Sequence, residues 1–146
     1  MKAAISVLIP VYNERQGFLT RALDSILSQT FADFEILVMD DGSTAPETLA
    51  VLERYRARDK RVRWQRGIHQ GLTRSLNMGL GLCRGEIICR HDSDDWSAAT
   101  RLERQVSILG ADPELGMVGS QVVLHQEDGS ELWTSRLPVS RTEVME

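Results

Sequence analysis

Apolar residues along this chain follow two alternating rhythms. Short, nearly continuous runs, Ile5-Ser6-Val7-Leu8-Ile9, Phe34-Glu35-Ile36-Leu37-Val38-Met39 and Ile87-Ile88-Cys89, read as strands buried on both faces of a parallel sheet. Between them apolar positions recur at helical spacing. From Phe18 to Gln29 the stripe is Leu19, Ala22, Leu23, Ile26 and Leu27, with Arg21 and Asp24 on the polar face. A second helix is expected from Pro46 to Arg58, where Pro46 suits a first helical turn and Leu49, Leu52 and either Tyr55 or Val51 face inward. Val62-Arg63-Trp64-Gln65 is a short third strand. A third helix is expected from Leu72 to Cys83, with Leu72, Leu76, Gly79 and Leu80 inward and Gly85 just past its C-cap. A fourth runs from Ala99 to Leu109, and Pro10 is read as ending the first strand.

Such alternation predicts an α/β fold, a mainly parallel sheet with right-handed crossovers. In open sheets of this kind ligands sit outside the carboxyl ends of the strands. The first, second and fourth strands end in Pro10-Val11-Tyr12-Asn13, Asp40-Asp41 and Asp92-Ser93-Asp94-Asp95, so polar chemistry is expected along one edge. The tail differs. Met117 to Leu124 is strand-like, Glu127-Asp128-Gly129-Ser130 carries an Asp-Gly hairpin signal, and Glu131-Leu132-Trp133 is the returning strand. Thr142 to Glu146 reads as a helix start, and residues 1–146 are expected to be one domain that stops before a further region.

With 146 residues, 42% hydrophobic and 26% charged, the chain has the composition of a globular domain with a real core. A formal net charge of −4 gives no global field to attract nucleic acid. The basic segment from Arg54 to Arg66, interleaved with Trp64, is diluted by Glu53 and Asp59 and reads as a solvated helix end. Cys83 and Cys89 lack metal or redox spacing and are expected to be reduced residues packed in the core. The apolar N-terminal stretch is too short to span a membrane and has no signal-peptide pattern, which makes a cytoplasmic location the default expectation.

The crowding of Asp92, Asp94 and Asp95 carries the strongest chemistry. Unpaired carboxylates this close raise each other's pKa, and a hard cation such as Mg²⁺ relieves the repulsion. The alternative is an Asp-rich turn in which Asp95 or Ser97 caps the next helix. An EF-hand loop is excluded, since Ser97 stands where the turn needs Gly and Trp96 where it needs a ligand.

Taken in order, Ser6-Val7-Leu8-Ile9-Pro10-Val11-Tyr12-Asn13, Leu23 to Phe31, Asp40-Asp41-Gly42-Ser43, Ser75-Leu76-Asn77-Met78-Gly79, Gly85-Glu86-Ile87-Ile88, Asp92-Ser93-Asp94-Asp95 and Arg101-Leu102-Glu103 with Gln105 resemble family 2 glycosyltransferases. These are inverting enzymes of GT-A fold, Rossmann-like three-layer α/β/α, that use nucleotide sugars. The resemblance runs from about Ala4 to Leu124 and implies roles for particular positions. Pro10 and Tyr12 match residues that frame the nucleotide base, and Asp41 the acid that accepts a uracil N–H. Asp92 matches the first acid of the DxD motif, near ribose and diphosphate, and Asp94 the acid that binds Mn²⁺ or Mg²⁺. Asp95 is read as the cap of the next helix.

Three positions depart from the family: His69 where Asn is usual, Ala99 where Pro is common, and His91 where an apolar residue precedes the first acid. Arg74 and Arg90 are candidates for diphosphate contact, equally explained as surface charges. Inverting transfer needs a general base, which the family places beyond the DxD motif. Nothing after Trp133 matches that region, and neither Glu143 nor Glu146 has a motif, so the catalytic residue is unassigned. The sequence thus implies the donor-binding part of a glycosyltransferase using a nucleotide sugar, with a UDP-sugar favoured and the acceptor hydroxyl unidentified. The alternatives are a non-catalytic nucleotide-sugar-binding module, and a nucleotidyltransferase, for which the loop after the first strand lacks the expected glycines.

Overall fold

The computed structural model describes residues 3–126 and 129–136. Its elements are β1 (Ile5–Val11), α1 (Gln16–Leu27), β2 (Phe34–Asp40), α2 (Pro46–Arg58), β3 (Val62–Arg66), α3 (Leu72–Leu82), β4 (Ile87–Arg90), α4 (Arg101–Ala111), β5 (Val123–His125) and β6 (Glu131–Thr134). They fall into two compact units, Met1–Glu103 and Arg104–Glu146.

In the first unit four parallel strands are ordered β3-β2-β1-β4. The steps from β1 to β2 and from β2 to β3 run in one direction, so right-handed crossovers put α1 and α2 on the same face. The step from β3 to β4 runs back across the sheet and puts α3 on the other, against β1 and β2. Every residue of β1 and β2 is buried, which is why both read as unbroken apolar runs. Leu8, Leu37 and Met39 form the cluster under α3, joined by Leu76 and Cys83. The alternate residues Val7, Ile9, Ile36 and Val38 face the opposite side, where α1 and α2 pack together. Each such aliphatic side chain contributes roughly 1.5–3 kcal/mol of burial.

Several sequence expectations are corrected. Strand β1 does not end at Pro10 but continues through it to Val11. Leu8 accepts the N–H of His91, the residue just after β4, so Pro10, two residues on, turns its missing N–H toward the same side, where pairing with β4 has already stopped. Strand β4 is not buried: it is the edge strand, and Ile88 is 40% exposed. On α3 the inward residues are Ser75 and Gly79, with Leu76 partly buried, while Leu72 and Leu80 are half-exposed. A bond from Ser75 to Asp41 sets that rotation. Gly85 is not a helix cap. It lies where a Cβ would come within 2.3 Å of the Ser6 nitrogen, so its lack of a side chain serves close packing of backbones.

Behind Gly85 is a buried polar network at the amino ends of the strands. Ser6 donates to Glu35, whose carboxylate also accepts the Arg84 N–H and pairs with Arg63 at 2.8 Å. Burial alone would raise the Glu35 pKa, but the bonds from Ser6, Arg63 and Arg84 outweigh it and hold it below its ordinary value.

In the second unit β5 and β6 pair antiparallel, Leu124 opposite Trp133, around a turn in which Gly129 has a φ of 85°. The strand expected from Met117 is only the three-residue β5. Val122, Leu124 and Trp133 are exposed and Val118 is half-buried. Glu127, Asp128 and the helix start expected at 142–146 lie outside the described residues. Among the described residues no helix is long and apolar enough to cross a membrane.

Candidate functional site

The strand order reverses between β1 and β4, and the loops after β1, β2 and β4 meet at this switch point. Asn13 locks the first two together. It adopts a φ of 49°, in the left-handed region that Asn tolerates. Its Oδ1 accepts the N–H groups of Thr44 and Ala45 at 2.7 and 2.9 Å, satisfying the start of α2, which has no side-chain cap of its own. In return the Asn13 N–H donates to Ser43 Oγ. Asp40, fully buried, accepts the Ser43 N–H at 2.8 Å and lies 3.6 Å from the Arg66 guanidinium, so it holds the loop and faces no open site.

Asp41 is the hub. One oxygen accepts the Gln70 N–H at 2.9 Å and the Ser75 hydroxyl at 2.8 Å; the other accepts the Gly71 N–H at 2.8 Å. His69 Nδ1 lies 2.7 Å from that second oxygen. Burial pushes the Asp41 carboxyl upward, but the bonds from Gln70, Ser75 and Gly71, with the charge of His69, outweigh it and hold the pKa below the ordinary carboxylate value. The His69 ring lies flat on Tyr12, with centroids 3.9 Å apart and planes inclined by 19°. Gly42 permits the approach: a Cβ there would sit 2.8 Å from the His69 backbone nitrogen, and its φ is +78°. Tyr12 is 47% exposed, whereas Pro10 is buried in β1.

Across the switch point, Glu14 accepts a hydrogen bond from Ser93 at 3.0 Å, tying the loop after β1 to the acidic loop after β4. Asp92 is clamped by the Arg90 guanidinium, with contacts of 2.9 to 3.2 Å. Asp94 is exposed and has no hydrogen bond or ion pair among the described residues. The Asp95 carboxyl is raised above its ordinary value by partial burial and by the charges of Asp94 and Asp92. Behind them His91 is buried and its pKa falls to about 4, through burial and the nearby Arg101, so the ring is neutral near pH 7. Arg74 reaches Gln70.

Asp95 does not cap the next helix, and neither does Ser97. Helix α4 begins at Arg101, and Gln29 closes its start, accepting the Leu102 N–H at 3.0 Å and donating to the Ala98 carbonyl at 2.8 Å. Thr30 adds bonds to Ala99 and Glu103. Arg21 lies over the Trp96 ring at 3.3 Å. Sequence reasoning assigned no role to Asn13, Glu14, Gln29 or Ser75. Asn13, Gln29 and Ser75 stand inside the motif segments and Glu14 directly follows the first of them, and their polar side chains beside apolar runs were the available signal.

The model of glycosyl transferase family 2 matches residues 6–145. The amylovoran biosynthesis glycosyltransferase AmsE of Erwinia amylovora is 33% identical over 95% of this chain and 52% of its own length. The O-antigen biosynthesis glycosyltransferase WbnJ of Escherichia coli is 34% identical over 86% of this chain and 48% of its own. The chain thus spans about half the length of these relatives. The mannosyltransferase PcManGT from Pyrobaculum calidifontis, solved in complex with GDP-Man and Mn²⁺, superposes with a TM-score of 0.70 at 28% identity, covering 80% of this chain and 34% of that one. S. aureus TarS 1-349 in complex with UDP-GlcNAc gives a TM-score of 0.66 at 29% identity, covering 73% and 31%. The parallel sheet and its helices are the α/β architecture of GT-A glycosyltransferases. By its family match, fold and structural neighbours, the chain belongs to glycosyl transferase family 2.

Proposed function

We propose that this chain forms the donor side of an inverting glycosyltransferase and binds a nucleoside diphosphate sugar at the switch point between β1 and β4. The observation that carries the reading is the convergence there of a ring-and-carboxylate pair, Tyr12 with Asp41, and an acidic loop whose Asp94 has no hydrogen bond or ion pair among the described residues. Tyr12 offers the base a ring face, with Pro10 shaping the strand end behind it, and Asp41 is the acceptor for a base N–H. Asp92 serves the ribose and diphosphate side. GDP-Man in PcManGT and UDP-GlcNAc in TarS support a nucleotide sugar as the ligand.

A divalent metal, Mn²⁺ or Mg²⁺, fits Asp94. Among the described residues no group of three or more acidic, His or Cys side chains could hold a metal. A hard cation such as Mg²⁺ is commonly held by one or two carboxylates and completes its shell with substrate phosphates, and Asp94 with Asp92 two residues before it supplies such carboxylates. When bound, the metal neutralises charge on the nucleoside diphosphate leaving group. Asp92, Asp94 and Asp95 crowd one loop, and a cation there relieves the repulsion of their charges. The protein's part is to orient the donor so that an acceptor hydroxyl attacks the anomeric carbon from the face opposite the diphosphate. The group that takes the hydroxyl proton remains unassigned.

Calorimetry with UDP and GDP in Mn²⁺ and in chelator tests the reading. Tighter binding with metal is expected. Equal affinity in the two conditions removes the metal assignment, and no binding of either nucleotide removes the donor site.

A further inference from the structure

His69 has the two recognition features that the proposed slot asks of a nucleobase. It is a flat heteroaromatic ring stacked on Tyr12 at 3.9 Å, and its in-plane nitrogen lies 2.7 Å from Asp41 Oδ2. An ionised carboxylate offers about four acceptor positions, and Gln70, Gly71 and Ser75 hold three of them from the fold itself. The His69 ring stands against the remaining one: its Nδ1 is 2.7 Å from Oδ2 as an ion-pair contact, and 3.3 Å from the Asp41 main-chain oxygen, its hydrogen-bond partner. His69 is a rotatable side chain that is 55% exposed, whereas Ser75 is buried and the other two groups are backbone. Its backbone is held, since Gly67 N–H donates to the Asp40 carbonyl at 2.8 Å and the 67–69 segment presses on Gly42.

We propose that His69 is an intramolecular occupant of the nucleobase slot, displaced by side-chain rotation when a nucleotide enters. The proposal rests on the donor-site reading above and adds a specificity to it. Whatever replaces the imidazole must put a ring N–H against Asp41 while stacking on Tyr12. Uracil, thymine and guanine carry such a group on their pairing edge. Cytosine and adenine turn a nitrogen lone pair toward the carboxylate there, which repels it. His69 therefore sets a threshold: a base lacking the ring N–H fails to displace the imidazole, and a base having it binds more weakly than it would to an open slot.

The test uses the full chain with Mn²⁺, comparing wild type with His69→Ala by calorimetry against UDP, GDP, CDP and ADP. In parallel, the ring signals of His69 are followed by NMR in isotope-labelled protein, with Tyr12→Ala marking the unstacked position. Removing the imidazole should tighten UDP and GDP on the order of tenfold, the worth of one polar contact that no longer has to be displaced, and leave CDP and ADP weak. Adding UDP to wild type should move the His69 signals to the unstacked position. Binding of UDP to His69→Ala but not to wild type also supports the proposal. If UDP binds wild type while the His69 signals stay put, or if His69→Ala weakens UDP or leaves it unchanged, the occupant idea falls and the donor site stands. CDP or ADP binding as tightly as UDP overturns the specificity. Failure of every nucleotide on both proteins removes the donor site and the proposal together.

Discussion

Replacing Asp41 with Ala takes a single acceptor away from three donors and from the His69 ring beside it, and their surroundings decide what the loss costs. Gln70 and His69 are exposed, so water replaces the carboxylate for them. Ser75 is 5% exposed and the Gly71 N–H sits half-buried at the start of α3. Two hydrogen bonds to a charged group, at about 1.5–3 kcal/mol each, are therefore truly lost, against the relieved burial cost of the carboxylate at about 1–3 kcal/mol. The net is roughly 2–3 kcal/mol. For a domain of this size that lowers the melting temperature by roughly 10 °C, at about 4 °C per kcal/mol. Asp41→Asn should recover less than half, because its amide N–H must face either the Gly71 donor or those of Gln70 and Ser75. Ser75→Ala alone should cost about 1 kcal/mol. The double variant should fall short of the sum, since both changes delete one shared bond. Thermal and urea unfolding of the four proteins measures this. A shift below about 2 °C for Asp41→Ala, or strict additivity with Ser75→Ala, would refute Asp41 as the hub that fastens α3 to β2.

Asp94→Ala should abolish the gain in UDP affinity on adding Mn²⁺ while leaving affinity in chelator unchanged, as titration calorimetry would record. Gly42→Ala forces a side chain into a φ of +78° and against the His69 nitrogen, so a loss of roughly 1–3 kcal/mol is expected in urea unfolding; an unchanged midpoint would show that the 67–69 loop is not pressed there. The Glu35 pKa is lowered in the fold from an ordinary 4.5. Its stabilisation is therefore complete above the unfolded value and disappears as pH falls through the folded one. Glu35→Gln should flatten the dependence of the urea midpoint on pH below about 4.5, and an unaltered acid slope would remove Glu35 from the account.

The strands and the second helix were legible because their signals are local. Runs such as Val7-Leu8-Ile9 and Ile36-Leu37-Val38 are buried on both faces, and Pro46 marks its helix start within the same turn. What was missed depends on partners far along the chain. Rotation of α3 is set by Ser75 meeting Asp41, 34 residues away, which outweighs the stripe of Leu72 and Leu80. The start of α4 is satisfied by Gln29, 73 residues upstream, so no capping signal beside it was informative. Ile87-Ile88-Cys89 read as a buried strand because edge and centre differ in neighbours, not in hydropathy. Asp41 and Asp94 were both expected from the sequence as site acids. That one accepts three hydrogen bonds and the other has no hydrogen bond or ion pair among the described residues is a property of the folded loops alone.

The staple made by Asn13 has a consequence in time. Since its side chain holds Thr44 and Ala45, and Ser43 holds it in turn, the loops after β1 and β2 are ordered when the chain folds. Neither of these two loops has to find its place again when a ligand arrives. On the proposal above the moving part is one exposed imidazole, and rotations of such side chains take picoseconds to nanoseconds. Opening is then in rapid equilibrium before the encounter, so His69 lowers affinity through the fraction of free protein whose slot is open: the association rate falls by that fraction and the lifetime of the complex stays near its ordinary value.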